Sequence, residues 1–215
     1  NYNGLEIYAI NNTFRDYDSF EMTYRNESVG NRFSEILDQI KPDIVHIQHL
    51  LYLSTTIIEE IKKRRIPIVF TLHDYWLLCP QGQLLKNNYN VCDNKNYSEC
   101  MDCIPHQLCI RKNVFNYYYL LRKFMPDSLL QLIKRNYLNY AKASFLSTVE
   151  ASKQINKRAD YIRDICSKVD LFIAPSEFLR KKFIGFGISE DKIIFSRYGF
   201  NLDSFKDVQK AYSNK

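Results

Sequence analysis

Apolar runs in the first half of the chain have the length and composition of buried strands. Residues 43–47 and 67–72 are short, β-branched segments of the kind found in a parallel sheet covered on both faces. Between them, residues 55–65 place isoleucines at helical spacing and end in four basic side chains, which suit a helix C-terminus. The pattern predicts a βαβ unit.

The same alternation extends in both directions along the chain. It predicts strands at residues 5–10, 169–174 and 192–196, a helix at 31–40, and a helix capped by Ser176 that runs to about residue 183. Strands that alternate with helices indicate an α/β fold, specifically a Rossmann-like doubly wound parallel sheet.

Two stretches interrupt this alternation. Residues 79–109 are rich in Asn, Gly and Cys and have no sustained period, which predicts an inserted Cys-rich loop. Residues 114–168 have a helical pattern throughout, broken at Pro126. We therefore expect one sheet domain with an inserted loop and an inserted helical segment.

Composition narrows the class of protein. A chain of 215 residues with 46% hydrophobic and 25% charged residues suits one globular α/β domain, and it has no apolar run of the length that a membrane span needs. The first residues lack the pattern of a signal peptide, so we expect a cytoplasmic location. The net charge of +6 permits an anionic partner, but the basic residues are dispersed and match no nucleic-acid-binding module. We expect no nucleic acid partner.

Polar residues follow two of the predicted strands. His73 and Asp74 follow residues 67–72, while His46 and His49 lie at the end of the preceding strand. Ligand sites of parallel α/β sheets lie at this edge, and imidazole and carboxylate groups hydrogen-bond well to hydroxyls. The alternative, a polar strand end that only holds its own loop, fits the spacing equally well. Hydrogen bonding to a polar ligand is favoured over a His-ligated metal.

The cysteines of the inserted loop form the second candidate site. Cys100 and Cys103 stand two residues apart, as metal-binding thiolates often do, and Cys79 and Cys92 would complete a tetrahedral set. Structural zinc is the favoured interpretation, with an iron–sulfur cluster and free thiols as alternatives. Cys109 competes for the fourth position.

Residues 114–124 combine aromatic and basic side chains. Such a segment can lie on a bilayer or hold a lipid-linked acceptor. A helix packed on the sheet with its basic side chains reaching solvent is the favoured alternative.

Four segments together, residues 41–46, 66–84, 174–179 and 186–201, resemble family 4 glycosyltransferases of the GT-B fold in order and distance. The resemblance implies that residues 1–197 are the N-terminal, acceptor-side domain and that 198–215 begin the crossover to a C-terminal donor domain. It implies retaining transfer of a sugar from a nucleotide-sugar donor, bound mainly by that second domain, to a hydroxyl of a saccharide or lipid-linked acceptor.

The resemblance also assigns roles to residues. His73 would lie near the transferred sugar as the catalytic-site residue, and Asp74, His46 and His49 would face the substrate. Such enzymes generally need no metal for catalysis, so zinc at the cysteines would be structural. Peripheral contact with the inner face of the membrane stays open.

Three departures from the family pattern limit these expectations. The chain lacks the Gly-rich loop with which the family usually opens, it stops where the donor domain would begin, and Tyr198 stands where the family usually has Asn. We therefore expect these residues to be inactive by themselves. A noncatalytic, zinc-clipped Rossmann-like binding domain stays the alternative function.

Overall fold

The computed structural model describes residues 3–13, 17–86, 88–93, 99–108, 121, 124–144, 148–199 and 203. Within them, one sheet contains the strands β1 (Val45–Ile47), β2 (Ile68–Thr71), β3 (Leu171–Ala174) and β4 (Ile193–Phe195). The strands lie in the order β1-β2-β3-β4 and every neighbouring pair is parallel. The predicted α/β fold with a Rossmann-like parallel sheet is confirmed.

The helices connect these strands. They are α1 (Glu27–Ile40), α2 (Thr56–Lys63), α3 (Cys100–Cys103), α4 (Pro105–Leu108), α5 (Asp127–Ser144), α6 (Thr148–Ser167) and α7 (Glu177–Phe186), with short 3-10 turns at Glu21–Thr23 and Glu190–Lys192. The four helices α3 to α6 all lie in the long connection between β2 and β3. This connection contains the two stretches that interrupted the sequence pattern.

Two helices show how local sequence fixes their ends. α1 begins earlier than the predicted residue 31, because the Asn26 side chain accepts hydrogen bonds from the amides of Ser28 and Val29. α7 is capped as predicted, with the Ser176 hydroxyl accepting from the Leu179 amide at 3.2 Å. It passes through Gly185 and ends at Gly187, whose φ of 122° favours glycine.

The predicted strand at residues 5–10 is wrong. Leu5 forms an isolated β-bridge, residues 6–10 form no strand, and Leu5 and Ile7 are 70% and 64% exposed. A strand needs a neighbour that accepts its backbone hydrogen bonds, and β1, at the end of the described sheet, pairs only with β2. The apolar pattern is present in the sequence, but residues 6–10 pair with no strand among the described residues.

The core lies between the sheet and the helices that cover it. Ile68 and Phe172 are fully buried on neighbouring strands, and the rings of Phe70 and Phe172 stack with their centroids 5.8 Å apart. Helix α6 contributes an apolar stripe to the same core, and Cys166 belongs to it, as expected. The core residues of α6 are Ala151, Ile155, Ile162, Ile165 and Cys166.

Parts of two predicted segments lie outside the described residues. Of the stretch 114–168, predicted to be helical, the structure describes the helices α5 and α6, while 114–120, 122, 123 and 145–147 lie outside the described residues. The aromatic and basic segment 114–124 therefore lies outside the described part except at 121 and 124, and the expected crossover at 198–215 is described only at 198, 199 and 203. Across the described chain, no helix has both the length and the apolar character required to cross a membrane.

Candidate functional site

The carboxyl ends of the four strands meet at one edge of the sheet. Residue pairing aligns Ile47 with Phe70, Thr71 with Ile173, and Ala174 with Phe195. The residues that follow the strands therefore emerge side by side. This is the edge at which open α/β sheets bind ligands.

His73 follows β2 and is held from two sides. Its Nε2 lies 2.6 Å from the Gln48 Oε1 atom, and its Nδ1 lies 2.6 Å from the Tyr198 hydroxyl. The His73 and Tyr198 rings are almost parallel, at 5°, with their centroids 5.5 Å apart. Because an amide oxygen only accepts, Nε2 carries the hydrogen, and in the neutral ring Nδ1 accepts from the Tyr198 hydroxyl. Three strands, β1, β2 and β4, thus contribute to one exposed group.

Gln48 links this group to His46. The His46 Nε2 atom lies 2.8 Å from the Thr71 hydroxyl. The Gln48 amide nitrogen is 3.2 Å from Nδ1 and 3.0 Å from Nε2 of His46. Since it is nearly equidistant from both ring nitrogens, the amide rests against the imidazole ring. One glutamine therefore bridges two imidazoles.

His49 pairs with Asp74. The His49 Nδ1 atom lies 3.0 Å from one carboxylate oxygen of Asp74. The other oxygen accepts a hydrogen bond from the Trp76 amide at 2.8 Å. Asp74 therefore holds its own loop, as the alternative interpretation proposed, and also orients an imidazole, that of His49 rather than that of its neighbour His73.

Sequence reasoning missed Gln48 and Arg158, and noted Tyr198 only as a departure from the family. Gln48 looked like a spacer between two histidines. Its position directly after a buried strand is the signal that could have marked it. Tyr198 follows β4, which the sequence predicted, so the same signal was available there.

Arg158 supports the loop behind the site from inside the protein. It is only 3% exposed, and its guanidinium donates to the carbonyl of Trp76 at 2.6 Å and that of Leu77 at 3.4 Å. The same group lies over the rings of Tyr24 and Trp76, 5.6 and 5.3 Å from their centroids. These contacts fix the main chain just after Asp74.

The structure also brings together the four cysteines predicted to bind metal. Cys79, Cys92, Cys100 and Cys103 are half-buried and line one cavity of about 20 Å³. Burial, reinforced by the charges of Cys79, Cys92 and Cys103, raises the pKa of Cys100 to about 12. As the side chains stand, no group of three or more His, Cys, Asp or Glu residues in the described part is placed to hold a metal ion. Cys109 lies outside the described residues.

Cavities alone would not have located the strand-end site. The space beside His73 and Asp74 measures only about 10 Å³. A shallow groove of about 1120 Å³ runs along α6, and another of about 440 Å³ lies between α6 and the turn at Glu21–Thr23. The strand-end group is therefore an open surface and not an enclosed pocket.

Comparison with known proteins shows that the segment carrying this edge is similar to one family. Residues 8–94, which contain β1, α2, β2 and all four polar residues predicted for the site, match Glycosyltransferase Family 4. Residues of the chain are also 34% identical over 62 positions to a Klebsiella pneumoniae protein described as "Uncharacterized 42.6 kDa protein in cps region".

That alignment spans 29% of this chain and 17% of the relative. No solved structure matches the chain significantly. Residues 8–94 are therefore similar to Glycosyltransferase Family 4, and the parallel α/β sheet agrees with that similarity.

Proposed function

We propose that this chain forms the acceptor-side half of the active site of a retaining glycosyltransferase. The enzyme would transfer a sugar from a nucleotide-sugar donor to a hydroxyl of a saccharide or lipid-linked acceptor. The observation that carries the proposal is His73, held between Gln48 and Tyr198 at the carboxyl edge of the sheet. The family match favours this function over a noncatalytic binding domain.

The chemistry of the edge suits a carbohydrate. Sugar hydroxyls both donate and accept hydrogen bonds, and imidazole, amide and phenol groups can do the same. Both ring nitrogens of His73 are bonded, to Gln48 and to Tyr198, so a sugar hydroxyl would replace one of these partners while the other keeps the ring oriented. Its proposed role is to contact the transferred sugar, while His46, His49 and Asp74 face the acceptor.

The open geometry explains why a second surface is needed. A space of about 10 Å³ cannot enclose a sugar ring, so water would reach the reacting atoms. We propose that a donor-binding domain closes over this edge and stabilises the leaving nucleotide diphosphate. The described residues by themselves would then be inactive.

The setting of the reaction is part of the proposal. The Klebsiella relative is described by its position in a cps region, and this agrees with a role in polysaccharide assembly. A cytoplasmic location with peripheral contact at the inner face of the membrane is part of the same proposal. The donor sugar and the acceptor would be identified by screening.

The test is the substitution His73→Ala in the native full-length protein. Nucleotide release by the native protein is first measured over a panel of nucleotide-sugars and acceptors. The His73→Ala variant is then measured with the donor and acceptor that give the fastest release. We expect turnover to fall about 100- to 1000-fold, as when one preorganised hydrogen-bonding group is removed. The free energy of unfolding should change by less than about 0.5 kcal/mol, because the side chain is exposed.

A matched control is His106→Ala, the same change at the one histidine that lies in a helix, α4. We expect near-normal turnover from it. Near-normal turnover by His73→Ala would contradict the site assignment, and loss of turnover only through unfolding would assign His73 a structural role.

A further inference from the structure

Four cysteines that lie far apart in sequence surround a single small cavity. Cys79 comes from the turn after β2, Cys92 from a short hairpin, and Cys100 and Cys103 from the two ends of α3. The cavity of about 20 Å³ has room for roughly one water-sized particle. This arrangement is independent of the proposed glycosyl transfer.

Backbone hydrogen bonds hold the two isolated cysteines in place. The Cys79 amide donates to the Tyr75 carbonyl at 2.7 Å, and the Cys79 carbonyl accepts from Gly82 at 2.8 Å. Gly82 has a φ of 77°, which a tight turn requires and glycine adopts without strain. The Cys92 amide donates to the Leu84 carbonyl at 2.8 Å, so the hairpin returns Cys92 to the neighbourhood of Cys79.

The loop has little regular structure of its own. Outside the two four-residue helices, its described residues contain one isolated antiparallel bridge, between Leu85 and Val91. Three of its side chains, Leu84, Ile104 and Leu108, are buried in the main core. A metal clip would add order to the segments between these buried side chains.

The charged side chains at the cavity form an ion pair. Lys86 and Glu99 both line the cavity, and the Lys86 ammonium is paired with the Glu99 carboxylate. Four thiolates around a divalent cation would carry a net charge of 2−, and the Lys86 ammonium would lie beside them.

We propose that Cys79, Cys92, Cys100 and Cys103 bind one Zn²⁺ ion, which clips the loop directly behind the segment that carries His73 and Asp74. Four sulfur ligands in a tetrahedral site indicate zinc or an iron–sulfur cluster. The size of the cavity favours a single ion over a cluster of several atoms. Since the thiols are not yet grouped as ligands, binding draws the four sulfurs inward from the cavity wall.

The experiment measures the metal content of the native protein, purified under reducing conditions without added metal or a metal-binding tag. We expect about one zinc per chain and no iron. Replacement of zinc by Co²⁺ should give the near-ultraviolet charge-transfer band of thiolate ligands and the visible bands of tetrahedral cobalt. This spectrum is recorded on the unsubstituted protein, so it does not depend on whether a variant folds.

Serine substitutions identify the ligands. Each of Cys79→Ser, Cys92→Ser, Cys100→Ser and Cys103→Ser should lower zinc content or affinity at least about tenfold. The matched controls are Cys109→Ser, at the cysteine that competed for the fourth position, and Cys166→Ala, at the buried core cysteine. Both controls should retain zinc.

Three results would overturn the proposal. The first is a zinc content below about a tenth of an equivalent per chain, together with free alkylation of the four thiols. The second is iron as the bound metal. The third is zinc that stays bound after these four cysteines are substituted. Because the readouts are metal content and spectra, their failure is distinguishable from loss of glycosyl transfer.

Discussion

The polar group around Asp170, at the amino edge of the parallel sheet, and the group around His73, at the carboxyl edge, differ in what their side chains bind. At the amino edge, the Asp170 carboxylate accepts from the Ile68 amide at 2.7 Å and from the Lys62 ammonium at 3.0 Å. The Lys192 ammonium donates to two main-chain carbonyls nearby. At the carboxyl edge, His73, Gln48 and Tyr198 bind one another through their side chains.

This difference separates stability from chemistry along the same strands. A side chain that binds a neighbouring backbone fixes the position of a strand, whereas side chains that bind each other are oriented without holding the fold together. The amino edge therefore supports the sheet, and the carboxyl edge presents oriented polar groups to solvent. Substitutions at the two edges and in the middle of the sheet should separate these roles.

The largest effect is expected in the middle of β3. Phe172 is fully buried and stacks on Phe70, so Phe172→Ala removes a large apolar side chain and leaves a cavity. We expect a loss of about 3–5 kcal/mol in the free energy of unfolding, measured by urea denaturation. His73→Ala is the comparison at the carboxyl edge. A loss of similar size in both variants would break the division between core and edge.

The next effect is at the amino edge and depends on pH. Burial raises the pKa of the Asp170 carboxyl, but hydrogen bonds from the Ile68 amide and from Lys62 outweigh it and leave the pKa below its usual value. The resulting stabilisation is complete above the unfolded pKa of about 3.9 and is lost as pH falls through the folded value. Asp170→Asn should therefore cost about 1 kcal/mol at pH 7 and almost nothing near pH 2.

Urea denaturation at several pH values checks this prediction. The control is Asp160→Asn, which removes an exposed carboxylate paired with Arg163 on α6. That exposed pair should contribute little at any pH. An Asp170→Asn variant whose stability matches the native protein at both ends of the range would show that this contact does not hold the amino edge.

The smallest effect on stability is expected for Tyr198→Phe. This change removes the hydroxyl bound to His73 and keeps the stacked ring. Stability should change by less than about 0.5 kcal/mol. Turnover of the full-length protein should fall about tenfold, because one of the two bonds that orient His73 is lost.

This prediction is checked by steady-state kinetics with the nucleotide-sugar and acceptor that the screen identifies. A lower kcat with little change in KM would support an orienting role for the hydroxyl. Unchanged turnover with normal stability would show that Gln48 and ring stacking suffice to hold His73.

Much of the fold could be predicted from the local sequence pattern. The wrong prediction, a strand at residues 5–10, has a physical cause. The strands β1 to β4 were predicted because short β-branched runs suit a sheet covered on both faces. Residues 5–10 have a similar run but no partner in the described sheet, so the same signal predicted a strand that does not form. α1 started earlier than its apolar spacing indicated, because the Asn26 cap fixes the first turn.

The residues of the candidate site were predicted in part, because position at a strand end can be read from the sequence but contacts between distant residues cannot. His46, His49, His73 and Asp74 were found because they follow strands whose ends share an edge. Which groups bind each other was not predictable, because the bonds from His73 to Gln48 and Tyr198 join residues 25 and 125 positions apart. The buried Arg158 was also missed, since its partners are main-chain carbonyls about 80 residues away.

The sequence by itself determined the α/β class, the similarity of residues 8–94 to Glycosyltransferase Family 4, and the chemical groups available at the strand ends and in the Cys loop. These depend on side-chain type and near-neighbour spacing, which are local properties of the chain. Only the tertiary structure decided that Gln48 bridges two imidazoles, that Asp74 orients His49, and that four distant cysteines line one cavity. Such contacts depend on how strands and loops pack in space, because one register or one turn decides which distant side chains meet.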